Sequence, residues 1–343
     1  MVNVGIVGFG KIAQRMYVPH IAAHPNAQLA AIADSHEGTR EMAVSQFGIP
    51  LTFGDYHEML DAVDAVCVCA PNSFHAPITI AALGQGKPVM VEKPMAMNLD
   101  EAQRMVTAAK KANTLLMVNQ SQRFTPLFQR AKEVMDSGLI GDILGVRTIF
   151  GHSGPTWWSP ESDWFFKKDV AGFGPIADLG IHRVDMVRHL TGMEFQEVYS
   201  AVSHMRKGQG DVEDNAVIVG KLTNGALASV TVSWTIHGRV EDTMDIFGSK
   251  GTLKIHSDEG RVLFADLDSP LSESSIEISV PEPYDNAYIQ GEWHFFSGVS
   301  DFLTAIQEGK PCCVPGEEGL KSLEVVLAAA KAAEANQVVK LPL

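Results

Sequence analysis

The chain has no run of about 18 consecutive apolar residues, so it offers no ordinary membrane-spanning helix. It is also poor in basic residues. Lys and Arg number 27 against 41 Asp and Glu, for a net charge of −14. Nucleic-acid binders and anionic membrane surfaces both rely on clustered Lys and Arg, so neither partner is expected. Cysteine is scarce, with four residues. Cys67 and Cys69 alternate inside an apolar run, and a strand points such a pair to opposite faces, which suits no single metal. Cys312 and Cys313 are adjacent. The expectation is four reduced thiols in a cytoplasmic protein, with neither a disulfide framework nor a metal site. The opening MVNVGIVGFG carries no basic segment before its apolar run and reads as a strand rather than a signal peptide. Repeats and low-complexity tracts are absent from the sequence.

What remains is ample apolar material, 45% of 343 residues, enough for two cores at about 150 residues per domain. The first 120 residues alternate short apolar runs (2–7, 29–33, 65–70, 89–92, 115–119) with helix-like stretches (12–23, 39–47, 77–83, 99–113). Unbroken apolar strands alternating with helices predict right-handed βαβ units and a doubly wound parallel sheet buried on both faces. The pattern then changes. A helix over 126–137 ending at Gly138, a strand over 143–150, an aromatic loop over 151–170 and a helix over 174–190 precede successive antiparallel strands over 195–280. The clearest hairpin runs 216–222 and 227–234 around Asn224-Gly225, which predicts a type I′ turn. In its second strand Ala228, Val230, Val232 and Trp234 alternate with polar residues, so one face is buried. Helices over 293–307 and 318–336 and a strand over 338–341 close the chain. The fold class is α/β, a doubly wound domain over 1–121 followed by an α+β domain over 122–343 with a large, mostly antiparallel sheet.

Three constellations carry chemistry. Gly8-Phe9-Gly10-Lys11-Ile12-Ala13 is G-x-G-x-x-A between a strand and a helix. Gly8 makes the tight turn, Gly10 lets the backbone approach a pyrophosphate, and the helix N-terminus at Lys11 and Ile12 offers N–H groups and a positive dipole end. Asp34 ends the second strand, where a carboxylate binds a ribose diol and repels a 2′-phosphate. NAD is expected over NADP, with Arg40 the residue that would admit NADP. The alternative is a plain strand–turn–helix in which the acid caps the following helix. Glu92-Lys93-Pro94 places two charges at the carboxyl end of a buried strand, where ligands bind in open α/β sheets. Lys93 could stabilise a developing alkoxide there, or it could form a surface ion pair. Asp178 and His182, four apart on one predicted helix, form a polar stripe with Asp185 and His189. His is the usual acid/base near neutral pH, while a solvated helix face gives the same spacing. Trp164, from the aromatic loop, and Arg123 are candidates for substrate contact. His237 and Arg239, after the hairpin, read equally as pocket or surface residues.

Taken together, these pieces resemble the Gfo/Idh/MocA family of oxidoreductases. The resemblance spans nearly the whole chain and rests on GIVGFGKIA, APNSFH at 70–75, GKPVMVEKPM at 86–95, QRFTP at 122–126, AGFGPIADLGIHRVDMVRHLTG at 171–192, EDNA at 213–216 and FGSKGTL at 247–253. It implies an N-terminal Rossmann domain and a C-terminal α/β domain whose open sheet forms a dimer or tetramer interface. It implies that Lys93 assists catalysis near the nicotinamide, that Asp178 and His182 face the cleft with His182 as acid/base, and that Pro71, Asn72, His75 and Glu92 lie along the nicotinamide side. The expected reaction is hydride transfer between NAD(P) and a secondary alcohol of a sugar, sugar derivative or cyclitol. Alternatives are NAD-dependent, redox-assisted glycoside cleavage and a non-catalytic dinucleotide-binding regulator. Phe173 departs from the family, which often carries a glycine-rich run there.

Overall fold

The computed structural model describes residues 1–206, 210–256, 259–266, 269–278 and 297–343. It divides into two compact units. The first comprises residues 1–121, 169–171 and the described residues from 297 to 323. The second comprises 122–168, the described residues from 172 to 278, and 324–343.

The first unit is built on a six-stranded parallel sheet of β1 (Val2–Val7), β2 (Ala27–Ala33), β3 (Leu51–Phe53), β4 (Ala65–Val68), β5 (Val89–Val91) and β6 (Leu116–Val118), in the order β3-β2-β1-β4-β5-β6. The order reverses at β1, and the crevice outside the strands' carboxyl ends at such a switch point is where open α/β sheets bind ligands. Helices cover both faces, which is why β4, β5 and β6 are apolar at every position and read as continuous runs. β3 and the short helix Tyr56–Leu60 escape a reading of the sequence. At three and five residues they are too short to show a period.

The helix expected over 12–23 forms, but its middle, Ala13–Tyr17, is widened to a π-helix that runs into an α-helix, Val18–Ala23. Pro19 sits at the start of that α-helix. It has no N–H to give and its ring crowds the carbonyl four residues back, so the preceding turn opens out.

The second unit holds a nine-stranded sheet among the described residues. Its strands are β7 (Ile143–Gly151), β8 (Phe195–Ser203), β9 (Asn215–Leu222), β10 (Leu227–Ser233), β11 (Glu241–Gly248), β12 (Thr252–His256), β13 (Glu259–Asp266), β14 (Ser269–Ile278) and β15 (Val339–Lys340), in the order β14-β13-β12-β11-β7-β10-β9-β8-β15. Every pairing is antiparallel except β7 with β10. Residues 279–280, the end of the expected strand region, and 293–296, the start of an expected helix, lie outside the described residues; that helix is seen as Gly298–Glu308.

The β9–β10 hairpin forms with a different turn. Leu222 N–H donates to Ala226 O, leaving the three-residue loop 223–225. Gly225 alone in that loop has a left-handed φ, +91°. Asn224 is used for its side chain, which accepts from Ala226 N–H and donates to Ile143 O. A type I turn closed by a left-handed glycine fits this spacing, whereas I′ needs positive φ at both positions.

Candidate active site

In the first unit the strand β1 runs straight into the Gly8–Ile12 turn. Gly8 has φ +85°, and a Cβ there would stand 2.6 Å from Ala70 N, so only glycine fits. A Cβ at Gly10 would meet no described atom within 4 Å, which leaves that backbone open to a ligand. Lys11 and Ile12 open the helix, and Ile12 is exposed. Asp34 does not cap the following helix; that cap is His36, which accepts from Thr39 N–H. The Asp34 carboxylate instead accepts Phe9 N–H at Oδ2 and His36 N–H at Oδ1, both at 2.9 Å. It is thereby tied to the glycine turn itself. Arg40 donates to the Asp34 and Ser35 carbonyls beside it. A glycine cradle open at Gly10, a helix N-terminus and a half-buried carboxylate fastened to the same turn fit a dinucleotide's pyrophosphate and ribose.

On the other side of the switch point, Glu92 follows β5 and is buried. Its Oε1 accepts from Tyr17 Oη–H at 2.7 Å and Asn119 Nδ2–H at 2.7 Å, and Asn119 also donates to Tyr17 Oη at 3.0 Å. Its Oε2 accepts the Lys93 N–H at 3.2 Å. Burial first, and then the Glu92 charge, push the Tyr17 phenol well above its ordinary range, so it remains a donor. Burial and Glu92 likewise push the Cys67 and Cys69 thiols up, which keeps them un-ionised and unreactive. Neither Tyr17 nor Asn119 was a candidate from sequence. Asn119, a polar residue at the carboxyl end of a buried strand, was the available signal. Lys93 is half-buried beside this network.

Asn72 is buried and donates from Nδ2 to Ala171 O at 2.9 Å. Pro71 precedes it and accepts Phe74 N–H. His75 is only 1% exposed, and its two ring nitrogens face the Pro94 and Ala70 carbonyls at 2.8 and 2.7 Å. The ring therefore packs between the two strand-exit loops at the carboxyl end of the sheet. Burial lowers its pKa, against the pull of those carbonyls.

In the second unit the expected helix over 174–190 is broken at Leu179 into Pro175–Asp178 and Gly180–Thr191. Asp178 ends the first piece and His182 opens the second. The second piece is not a solvated face: His182 is 8% exposed, Arg183 0% and Asp185 1%. Such a helix survives burial only if its charges are matched. Arg123 grips Asp185 with Nε and Nη2, both at 2.7 Å. Arg188 pairs with Glu194, and Arg183 pairs with Asp242 at 2.9 Å. The Arg183 guanidinium also lies 4.6 Å over the Phe150 ring, whose edge meets His182 at 6.1 Å. Arg123 was expected to touch substrate. Its Nε and Nη2 engage Asp185, which ties it to the helix Gly180–Thr191. His189 is pushed down to about 4 by burial and then by the Arg123 charge, and is neutral at neutral pH.

Asp178 Oδ2 accepts the Trp234 Nε1–H at 3.1 Å. Glu213 Oε1 accepts the Ile176 N–H at 3.1 Å, and burial raises that carboxyl above its ordinary range. Of the aromatic loop, Trp164 stacks on Phe165 at 3.8 Å and remains half-buried, while Trp157 is exposed. His237 and Arg239 are exposed.

Residues 2–120 match the oxidoreductase family with an NAD-binding Rossmann fold, and residues 128–254 match the GFO/IDH/MocA C-terminal domain. The chain belongs to the Gfo/Idh/MocA family. It is similar to myo-inositol 2-dehydrogenase of Thermotoga maritima, 29% identical over 99% of this chain and 98% of that one. It is also similar to levoglucosan dehydrogenase of Pseudarthrobacter phenanthrenivorans, 30% identical over 77% and 76%. Among solved structures, levoglucosan dehydrogenase in complex with NADH and levoglucosan superposes with a TM-score of 0.87 at 27% identity, covering 100% of both chains. As a member of this family the protein is an oxidoreductase whose first unit is an NAD-binding Rossmann domain.

Proposed function

We propose that this family member transfers a hydride between NAD and a secondary alcohol of a sugar, sugar derivative or cyclitol. The observation that supports it most is the placement of Asp178 and His182 on either side of the helix break at Leu179, the second piece being buried, in a chain that also carries Lys93 beside the ordered Glu92 network. When bound, NAD supplies the acceptor for the hydride that leaves the carbinol carbon. His182 takes the hydroxyl proton, a general-base contribution of about 10²- to 10⁴-fold. Lys93 stabilises the negative charge that builds on the oxygen. Asp178 fixes a substrate hydroxyl or the imidazole. Trp164 offers an aromatic face to the C–H face of a ring. Gly8, Gly10, Lys11, Ile12 and Asp34 hold the pyrophosphate and ribose, while Pro71, Asn72 and Glu92 shape the nicotinamide side.

The reading extends to assembly and compartment. Tyr199, Val217, Val219, Leu227 and Phe247 are exposed and project from one face of the nine-stranded sheet, which supports a homodimer or homotetramer through that face. The four thiols carry no disulfide, which supports a cytoplasmic setting.

The test is NADH formation, followed by its near-ultraviolet absorbance, across a panel of sugars and cyclitols, each repeated with NADP. Turnover of a polyol with release of free NADH and a preference for NAD is the expected result. A glycoside cleaved without free NADH, or tight NAD binding with no turnover on any panel member, would overturn it.

A further inference from the structure

We infer that Trp234 is a positioning residue for the reaction: its indole N–H fixes the plane of the Asp178 carboxylate. The inference rests on the role proposed above for Asp178. Trp234 is 2% exposed, and an indole has one polar atom, a donor, which a buried site must satisfy. The partner is Asp178 Oδ2, at 3.1 Å.

Everything around the indole is held. The Trp234 backbone N–H donates to Asp214 O, and the preceding Ser233 O accepts the His152 N–H. Phe166 meets the ring at 5.7 Å in an edge-on arrangement. Gly174 lies against it, since a Cβ there would stand 3.3 Å from Trp234 Cζ3 and 1.9 Å from Glu213 O. Any other residue at 174 would push the indole or the Glu213 backbone away.

The short helix that carries Asp178 is held at both ends. Glu213 accepts the Ile176 N–H near its start, and Trp234 donates to Asp178 at its finish. A carboxylate is nearly free to rotate about its last bond, so a helix end alone would leave its two oxygens interchangeable. A donor on a rigid ring restricts that freedom at Oδ2. A hydrogen bond to a charged group in a preformed site holds the carboxylate in place before substrate arrives.

Trp234→Phe keeps an aromatic ring at the site while deleting the donor together with the indole's second ring. The expected result is a fall in kcat of about tenfold to a hundredfold, the worth of a hydrogen bond to a charged group. NAD affinity should stay near wild type, while the melting temperature falls by the cost of the small cavity left behind. Combined with Asp178→Asn, Trp234→Phe should cost nothing further, because its effect passes through that carboxylate. A purely structural role would instead add its loss to the Asp178→Asn loss. Should Trp234→Phe fail to fold, Asp178→Asn with Trp234 intact carries the test by NMR: one indole N–H proton resonance moves when its acceptor changes from carboxylate to amide. A wild-type kcat in a folded Trp234→Phe, additive losses in the double variant, or an unmoved set of indole resonances would each overturn the inference. Wild-type rates in both Asp178→Asn and His182→Ala would instead overturn the functional reading beneath it.

Discussion

At the scale of single residues, the assignments separate by what each side chain would take with it. His182→Ala removes the proposed proton acceptor from a helix whose other charges remain paired. Turnover is expected to fall by at least about 100-fold while NAD affinity, measured by calorimetry, stays unchanged. Asp34→Ala acts on the other property. It frees Phe9 N–H and His36 N–H from their shared acceptor and removes the carboxylate proposed to bind the ribose, so NAD binding is expected to weaken with little loss in kcat at saturating NAD. Equal NAD affinity in wild type and Asp34→Ala would remove Asp34 from the ribose role. These two residues are candidates from sequence because their patterns are local: a strand, a glycine turn and an acid at a fixed distance, or a His four residues after an Asp. The partners of Arg123 and His75 were not legible, because nothing in a sequence reports that a distant Asp185 or Pro94 carbonyl meets their nitrogens.

Among elements, the helix Gly180–Thr191 is the most exposed to failure, because it hides so much charge. Asp185→Ala leaves the Arg123 guanidinium buried without its bidentate partner. Breaking one side of a buried pair costs about 3–5 kcal/mol, which should appear as a large drop in the denaturant midpoint. The same helix makes stability depend on pH. His189 titrates near 4 in the folded chain, below the ordinary His value of 6.5, so between those values the unfolded chain binds a proton that the native chain refuses. The group's contribution is therefore present above pH 6.5 and is lost as pH falls toward 4. His189→Gln should lose less melting temperature between neutral pH and pH 5 than wild type does; an identical loss would show that His189 does not titrate there. The break at Leu179 and the π-turn before Pro19 could not be placed from periodicity, since hydrophobic spacing tolerates one wide or tight turn. The left-handed Gly225 shows a related limit: Asn-Gly marks a turn, but the hydrogen bonds of Asn224 select which one.

For the whole molecule, the open face of the nine-stranded sheet carries the assembly proposal. Val217 and Val219 lie two apart on β9, exposed on that face. Val219→Lys places a charge in the middle of it, and light scattering is expected to report smaller particles than wild type without loss of NAD binding. An unchanged mass would direct attention to another surface. The sequence by itself determined the alternation of strands and helices, the glycine turn with its acid, and the family, because each is written in residues near one another or in the order of motifs. Only the tertiary structure decided that residues 169–171 and the segment reaching from 297 to 323 pack with the first unit. It likewise decided that β7 and β10 run parallel inside an otherwise antiparallel sheet, and that Tyr17 and Asn119 hold the Glu92 carboxylate and Trp234 that of Asp178. Those facts depend on which distant side chains meet once the core is packed, and burial makes each such meeting obligatory, since a polar group withdrawn from water must find its partner inside the protein.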